Sequence, residues 1–175
     1  MAARNDFITW DAYFMLSAKL AAERSKDPCT QVGAVVVNQD NRIVATGYNG
    51  MSAGFSDDLG LWGKDSEEVL HTKYPFVVHA EANAVANWYH RDPNQRYRMY
   101  VTLFPCNECA KLIVQSGVKE VIYANAPKKW KPCYDASTMI FQMADVELTP
   151  YTGVRSINLE LPPFDQTPNT NDQIQ

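Results

Sequence analysis

The sequence predicts an α/β chain: a three-layer α/β/α arrangement around a five-stranded mixed sheet. Three observations carry that prediction. An apolar run from Gln31 to Asn38, with Val32, Val35, Val36 and Val37, is followed by the turn Gln39-Asp40-Asn41 and a returning stretch, Arg42–Thr46; this reads as an antiparallel hairpin. From residue 98 onward, apolar strands and helical stretches alternate, and short connections between them imply right-handed crossovers with parallel strands. Hydrophobic residues make up 46% of the 175 positions, enough for one core in one domain, expected over 1–160.

The elements follow in order. Residues 9–25 read as a helix capped by Thr9, with Trp10, Tyr13, Phe14, Ser17, Leu20 and Ala21 at helical spacing as its packing stripe. Pro28 disfavours helix at Asp27 and ends it. After the hairpin, Gly47-Tyr48-Asn49-Gly50 is expected to leave the sheet as a loop. Residues 51–76 are irregular, with one or two helical turns near Glu67–Leu70; so long a stretch reads as a functional flap or contact surface. A second helix spans 79–90, with Ala82, Val85, Ala86 and Trp88 or Tyr89 on its buried side. A strand over 98–104 leads to a helix over 106–116, stopped by Gly117. A strand over 119–124, a helix over 134–143 and a strand over 145–149 complete the set. The stretch 161–175 is Pro-, Asn- and Gln-rich and reads as a loose tail.

Composition narrows the partners. The net charge is −4 and the pI is about 5.3, which argues against a broad polynucleotide groove but not against a small anion held by local Lys or backbone N–H groups. No apolar run of about 18 residues predicts a membrane span. The opening residues resemble no secretory leader, so a reducing, cytoplasmic setting is expected. There a C-x-x-C is more often metal-binding or redox-active than a structural disulfide.

Two short stretches carry the chemistry: His79-Ala80-Glu81 and Pro105-Cys106-Asn107-Glu108-Cys109. They supply three zinc-type ligands, His79, Cys106 and Cys109, and one carboxylate, Glu81, poorly spaced to be a fourth. Catalytic zinc sites keep a position open for water, whereas structural ones usually close it with a fourth protein ligand. The cysteine pair alone would equally suit a redox pair or half of a structural zinc knuckle. Its combination with the upstream His-x-Glu, each at the start of a helix, favours catalysis.

H-x-E…P-C-x-x-C is the signature of zinc-dependent nucleobase deaminases. The chain resembles the zinc-dependent cytidine deaminase superfamily, and within it the deoxycytidylate (dCMP) deaminase family. The resemblance is carried by Arg24-Ser-Lys-Asp-Pro28, Gln31-Val-Gly-Ala34, Gly47-Tyr-Asn-Gly50, Thr72-Lys-Tyr-Pro75, His79-Ala-Glu81 and Tyr100-Val-Thr-Leu-Phe-Pro-Cys106-Asn-Glu-Cys109. It implies a cytidine-deaminase-like fold with one catalytic Zn²⁺ per subunit. The implied reaction is hydrolytic deamination of dCMP to dUMP, supplying dUMP for dTTP synthesis. Glu81 would move protons between the activated water, N3 of the base and the departing amine.

For substrate contacts, Asn49 is expected on the deoxyribose hydroxyl by similarity; otherwise it is a turn residue. Ala80 lies between the two site residues of its motif. Ser25 and Lys26 offer a hydroxyl and a cation for the 5′-phosphate, although Lys26 would equally be a solvated charge. Trp130 and Tyr134 are candidates for a lid over the base, or plain core or surface aromatics. The resemblance also implies a regulatory site for dCTP (activator) and dTTP (inhibitor), with Mg²⁺ accompanying the triphosphate, in a hexamer. Gly47, Tyr48, Asn49, Gly50 and Lys64 are its candidates here, and Lys64 would give a point charge in place of an arginine fork. The rival readings are a bifunctional dCMP/dCTP deaminase, a non-catalytic zinc-stabilised interaction module, and a thioredoxin-like redox protein.

Overall fold

A computed structural model describes residues 1–56, 58, 60–127 and 131–160. Helix α1 (Trp10–Ala22) precedes strands β1 (Gly33–Asn38) and β2 (Ile43–Tyr48). A two-residue strand, β3 (Gly50–Met51), pairs with β4 (Val77–Val78). Helix α2 (Ala80–Ala86) leads to β5 (Tyr97–Val101), α3 (Asn107–Gln115), β6 (Val118–Tyr123), α4 (Pro132–Met143) and β7 (Glu147–Pro150). The main sheet has the order β2-β1-β5-β6-β7. β1 is antiparallel to both β2 and β5, while β5, β6 and β7 run parallel. The expected five-stranded mixed sheet is therefore present. Each parallel step carries one helix, as short crossovers require.

The sheet is covered on both faces. β1 is buried at every position, and its side chains alternate between two cores. Val35 and Val37 meet Phe14, Met15 and Ala18 of α1, together with Tyr100, Ile122 and Tyr151. Ala34 and Val36 meet Ala80 and Ala84 of α2, Ile113 of α3 and Phe141 of α4. Fully burying a side chain such as Val35 or Phe14 contributes about 1.5–3 kcal/mol.

Two glycines set how close the helices come. A Cβ on Gly33 would lie 1.9 Å from the Ala18 carbonyl oxygen, and one on Gly47 would lie 2.3 Å from both Ala80 O and Ala84 N. Side chains at these positions would push α1 and α2 off the sheet. The Asn83 and Asn87 amides of α2 donate to Tyr48 O and Thr46 O at 2.8 and 3.0 Å. These bonds use carbonyls of the edge strand β2 that no neighbouring strand can take.

Three sequence expectations need correction. The face of α1 that packs is Ala12, Phe14, Met15, Ala18 and Ala22, whereas Trp10, Tyr13 and Leu20 are 57%, 45% and 70% exposed. An amphipathic period with two apolar stripes does not say which one meets the sheet. Gly47-Tyr48-Asn49-Gly50 is not a free loop: its first two residues end β2, and Gly50 begins β3. α2 ends at Ala86 with Asn87 as its C-cap, and its buried residues are Ala80, Glu81 and Ala84. Trp88 lies beyond the helix, buried edge-on against Tyr97 at 4.4 Å, while Tyr89 is exposed. Of the one or two helical turns expected near Glu67–Leu70, one is present, a 3₁₀ turn at Val69–His71. Trp130 and the stretch 161–175 lie outside the described residues.

Candidate active site

The ends of β2 and β5 and the start of β1 lie along one side of the sheet, as the pairing of Gly33 with Tyr48 and Ala34 with Val101 requires. The segments leaving these ends carry the chemistry. β5 runs through Thr102, whose backbone N–H donates to Gly33 O and whose hydroxyl accepts from Gly33 N. Phe104 N then donates to Asn125 O at 2.9 Å, and the Ser137 hydroxyl of α4 donates to Pro105 O at 2.9 Å. Pinned on both sides, the chain enters α3 with Cys106 as its N-cap. His79 is the N-cap of α2 in the same way. Both caps have extended backbone angles and offer no side-chain hydrogen bond to the helix. Their ligand atoms are therefore not spent on capping.

The result is a compact donor set. The ligand atoms of His79, Cys106 and Cys109 lie within 4.8 Å of one another. His79 Nδ1 is 3.3 Å from Cys109 Sγ and 3.5 Å from Cys106 Sγ. Ligands at ordinary zinc–sulfur and zinc–nitrogen distances, spread at tetrahedral angles, stand about 3.5 Å apart. Two thiols and one imidazole at these separations fit zinc. The hydrogen bond from Cys109 holds the Cys106 thiol far below its usual range, against burial, with His79 assisting. The same hydrogen bond, with burial, pushes Cys109 up. His79 is raised by its bond to Cys106, although burial opposes this. One thiolate is thus already favoured beside an imidazole.

Glu81 is 4% exposed, in the first turn of α2, and stands outside the donor set. Burial raises the pKa of its carboxyl, with His79 pulling the other way. A carboxyl so placed holds its proton to a higher pH than an exposed one, which suits a general acid–base group.

A cavity of about 340 Å³ opens over these residues. His79, Ala80, Glu81, Leu103, Phe104, Cys106, Cys133 and Tyr134 line it, with Asp27, Thr30, Val32 and Asn49. Lys64, Lys73, Tyr74, Val77 and Lys131 complete it. Tyr134 is half-buried and meets Phe104 edge-on at 6.0 Å. Asn49 is 5% exposed: Oδ1 accepts from Val32 N at 2.8 Å, and Nδ2 donates to Thr30 O at 2.9 Å and Asp27 Oδ2 at 3.3 Å, which leaves one lone pair of Oδ1.

Of the residues singled out from sequence, the structure brings Asn49, Lys64, His79, Ala80, Glu81, Cys106 and Tyr134 to this cavity, with Cys109 Sγ 3.3 Å from His79 Nδ1. Ser25, Lys26, Gly47, Tyr48 and Gly50 are not among its lining residues. The Ser25 hydroxyl donates to Asn49 O at 2.8 Å, and Lys26 is exposed. Gly47 is packed against α2. Sequence reasoning missed Asp27 and Lys73, which form a buried ion pair in the cavity wall. Both stand inside motifs that carry the resemblance, but nothing local marks either charge as buried.

Comparison with known proteins agrees with this geometry. Residues 8–125 match the family described as the cytidine and deoxycytidylate deaminase zinc-binding region. The deoxycytidylate deaminase of Homo sapiens is 50% identical over 143 residues, covering 82% of this chain and 80% of that protein. That of Mus musculus is 49% identical over 149 residues, covering 85% and 83%. Among solved structures, the dCMP deaminase of the cyanophage S-TIM5, in complex with dCMP and dUMP, superposes with a TM-score of 0.64 at 28% identity. That match covers 86% of this chain and 100% of the phage chain. On the match over residues 8–125 and these identities, the chain belongs to the cytidine and deoxycytidylate deaminase family.

Proposed function

We propose that this protein hydrolyses dCMP to dUMP and ammonia. The observation that carries the reading is the buried Glu81 carboxyl beside, but not within, a His/Cys/Cys donor set on a nucleotide-sized cavity. Roughly half-identical relatives named deoxycytidylate deaminase support the choice of substrate.

His79, Cys106 and Cys109 would hold Zn²⁺, which lowers the pKa of water and so supplies a nucleophile at neutral pH. Glu81 accepts the proton lost by the water as its oxygen bonds to C4 of the cytosine ring. It delivers that proton to N3. A second transfer through Glu81, from the new C4 hydroxyl to the amine, lets the C4–N bond break, so that C4 becomes a carbonyl and the amine leaves as ammonia. The raised pKa of Glu81 suits both directions of transfer. Leu103, Phe104 and Tyr134 give the cavity an apolar wall against which a base can lie. A cytoplasmic location suits the thiol ligands, which must stay reduced.

The finer part of the proposal is regulation by dCTP and dTTP, with Mg²⁺, in a hexamer. It rests on the Gly47-Tyr48-Asn49-Gly50 resemblance. Its physical support is that this stretch packs on α2 and continues into Asn49, so a ligand moving it would move the cavity wall.

The test is ammonia release from dCMP, dCTP and deoxycytidine by the zinc-loaded protein, with and without both triphosphates as effectors. Turnover of dCMP with little of deoxycytidine supports the reading. Comparable turnover of dCTP makes the enzyme bifunctional. No turnover of any of them, with zinc bound, contradicts it. Regulation is dropped if neither triphosphate changes the rate or the sedimentation of the protein.

A further inference from the structure

Asp27 is 2% exposed and takes hydrogen bonds from three stretches of chain. Its Oδ1 accepts from Cys29 N at 2.8 Å and Thr30 N at 3.2 Å, in the turn between α1 and β1. Its Oδ2 accepts from Asn49 Nδ2, just past β2, and from Lys73 Nζ, in the long stretch before β4. The Lys73 side chain is 8% exposed. Its backbone is fixed as well: Lys73 N donates to Gly63 O, and Phe76 N and Val77 N donate to Lys73 O. Asp27, Asn49 and Lys73 all line the cavity.

An ionised carboxylate can only accept hydrogen bonds. Asp27 therefore reinforces the orientation of the Asn49 amide that Thr30 O and Val32 N also select. The NH₂ group turns to Asp27 and Thr30 O, and Oδ1 turns to Val32 N. The same carboxylate keeps the Lys73 ammonium in the wall. A buried ion pair adds little net stability compared with apolar groups of the same size, so stability alone is a weak reason to have this one. Its placement in the substrate cavity supplies a better one.

We propose that Asp27 is a positioning residue: it fixes the Asn49 amide and the Lys73 ammonium in the cavity wall, and so sets how tightly substrate is held. The kinetic part rests on the deamination reading above. None of the hydrogen bonds made by Asp27 goes to Glu81 or to His79, Cys106 or Cys109. The effect therefore falls on binding shared by ground and transition states, which appears in KM and not in kcat.

The test uses Asp27→Asn, which preserves size, and Asp27→Asn/Lys73→Met, which leaves no lone buried charge should the single variant fold poorly. Zinc content, thermal stability, KM and kcat for dCMP are measured. Amide hydrogen exchange is followed at Val32, whose N–H is held by Asn49, and at Val36 in the core of β1. The expected result is zinc as in the wild type, KM raised at least about tenfold, and kcat within about threefold. Exchange at Val32 is expected at least about tenfold faster, with Val36 unchanged. An unchanged KM with Val32 still protected overturns the proposal. So does a joint loss of kcat, zinc and Val36 protection, which would make Asp27 a purely structural residue. A wild-type protein that binds zinc but does not deaminate dCMP would sink the reaction assigned above, and Val32 exchange would still decide whether Asp27 holds Asn49.

Discussion

The Nδ1 of His79 lies 3.3 Å from the Sγ of Cys109, although 30 residues separate them in the chain. Two helix starts, α2 and α3, are packed so that one cap residue faces the first turn of the other. If this pair, with Cys106, holds zinc, removing any member leaves two protein ligands. His79→Ala and Cys106→Ser are each expected to weaken zinc binding by at least about a hundredfold, because even outer partners of metal ligands are worth 10–100-fold. Metal analysis after dialysis against a weak chelator measures this. Full zinc content in either variant would contradict the assignment.

The approach of α2 to the sheet depends on Gly47. Gly47→Ala would place a methyl 2.3 Å from the Ala80 carbonyl oxygen, and α2 carries Glu81. Overpacking of this kind destabilises by about 1–3 kcal/mol. Thermal melting is expected to show a lower Tm, and dCMP turnover is expected to fall as Glu81 is displaced. A Gly47→Ala protein with unchanged Tm would mean that α2 shifts freely.

The parts of the fold that were legible in the sequence are those written in local pattern. The valines of β1 form a continuous run because the strand is covered on both faces. Thr9 caps α1, accepting from Ala12 N at 3.2 Å, and Gly117 takes a positive φ of 87° after α3. The grouping of His79, Cys106 and Cys109 was legible because a helix start and a C-x-x-C spacing are local too. The packing face of α1 was not, since Trp10, Tyr13 and Leu20 are as apolar as Phe14, Met15 and Ala18. The β3–β4 ladder is only two residues long on each side and leaves no periodicity to read. Asp27 and Lys73 stand 46 residues apart. Their burial is a product of tertiary packing, which neither charge announces in its own neighbourhood.

That ion pair gives the protein a particular acid response. Burial alone would raise the Asp27 pKa, but hydrogen bonds from Lys73, Cys29 and Thr30 outweigh it and hold the carboxyl below its ordinary 3.8. As pH falls, the unfolded chain takes up this proton before the folded one does. The stabilisation is therefore full above about pH 4 and is lost as pH falls through the lower, folded-state value. Urea titrations of wild type and Asp27→Asn are expected to differ most between about pH 5 and 7, with the gap closing as pH falls below about 4 towards the lower, folded-state value. A gap independent of pH would mean that Asp27 titrates alike in the folded and unfolded chain, against a lowered pKa.

Glu81 is proposed to move the proton in a zinc-assisted deamination. Ammonia release from dCMP by zinc-loaded Glu81→Gln, beside the wild type, tests it most directly. Positioned acid–base groups contribute about 10²–10⁴-fold to rate. The variant is expected to keep wild-type zinc content with kcat lower by at least about a hundredfold. Full zinc together with wild-type kcat would contradict it.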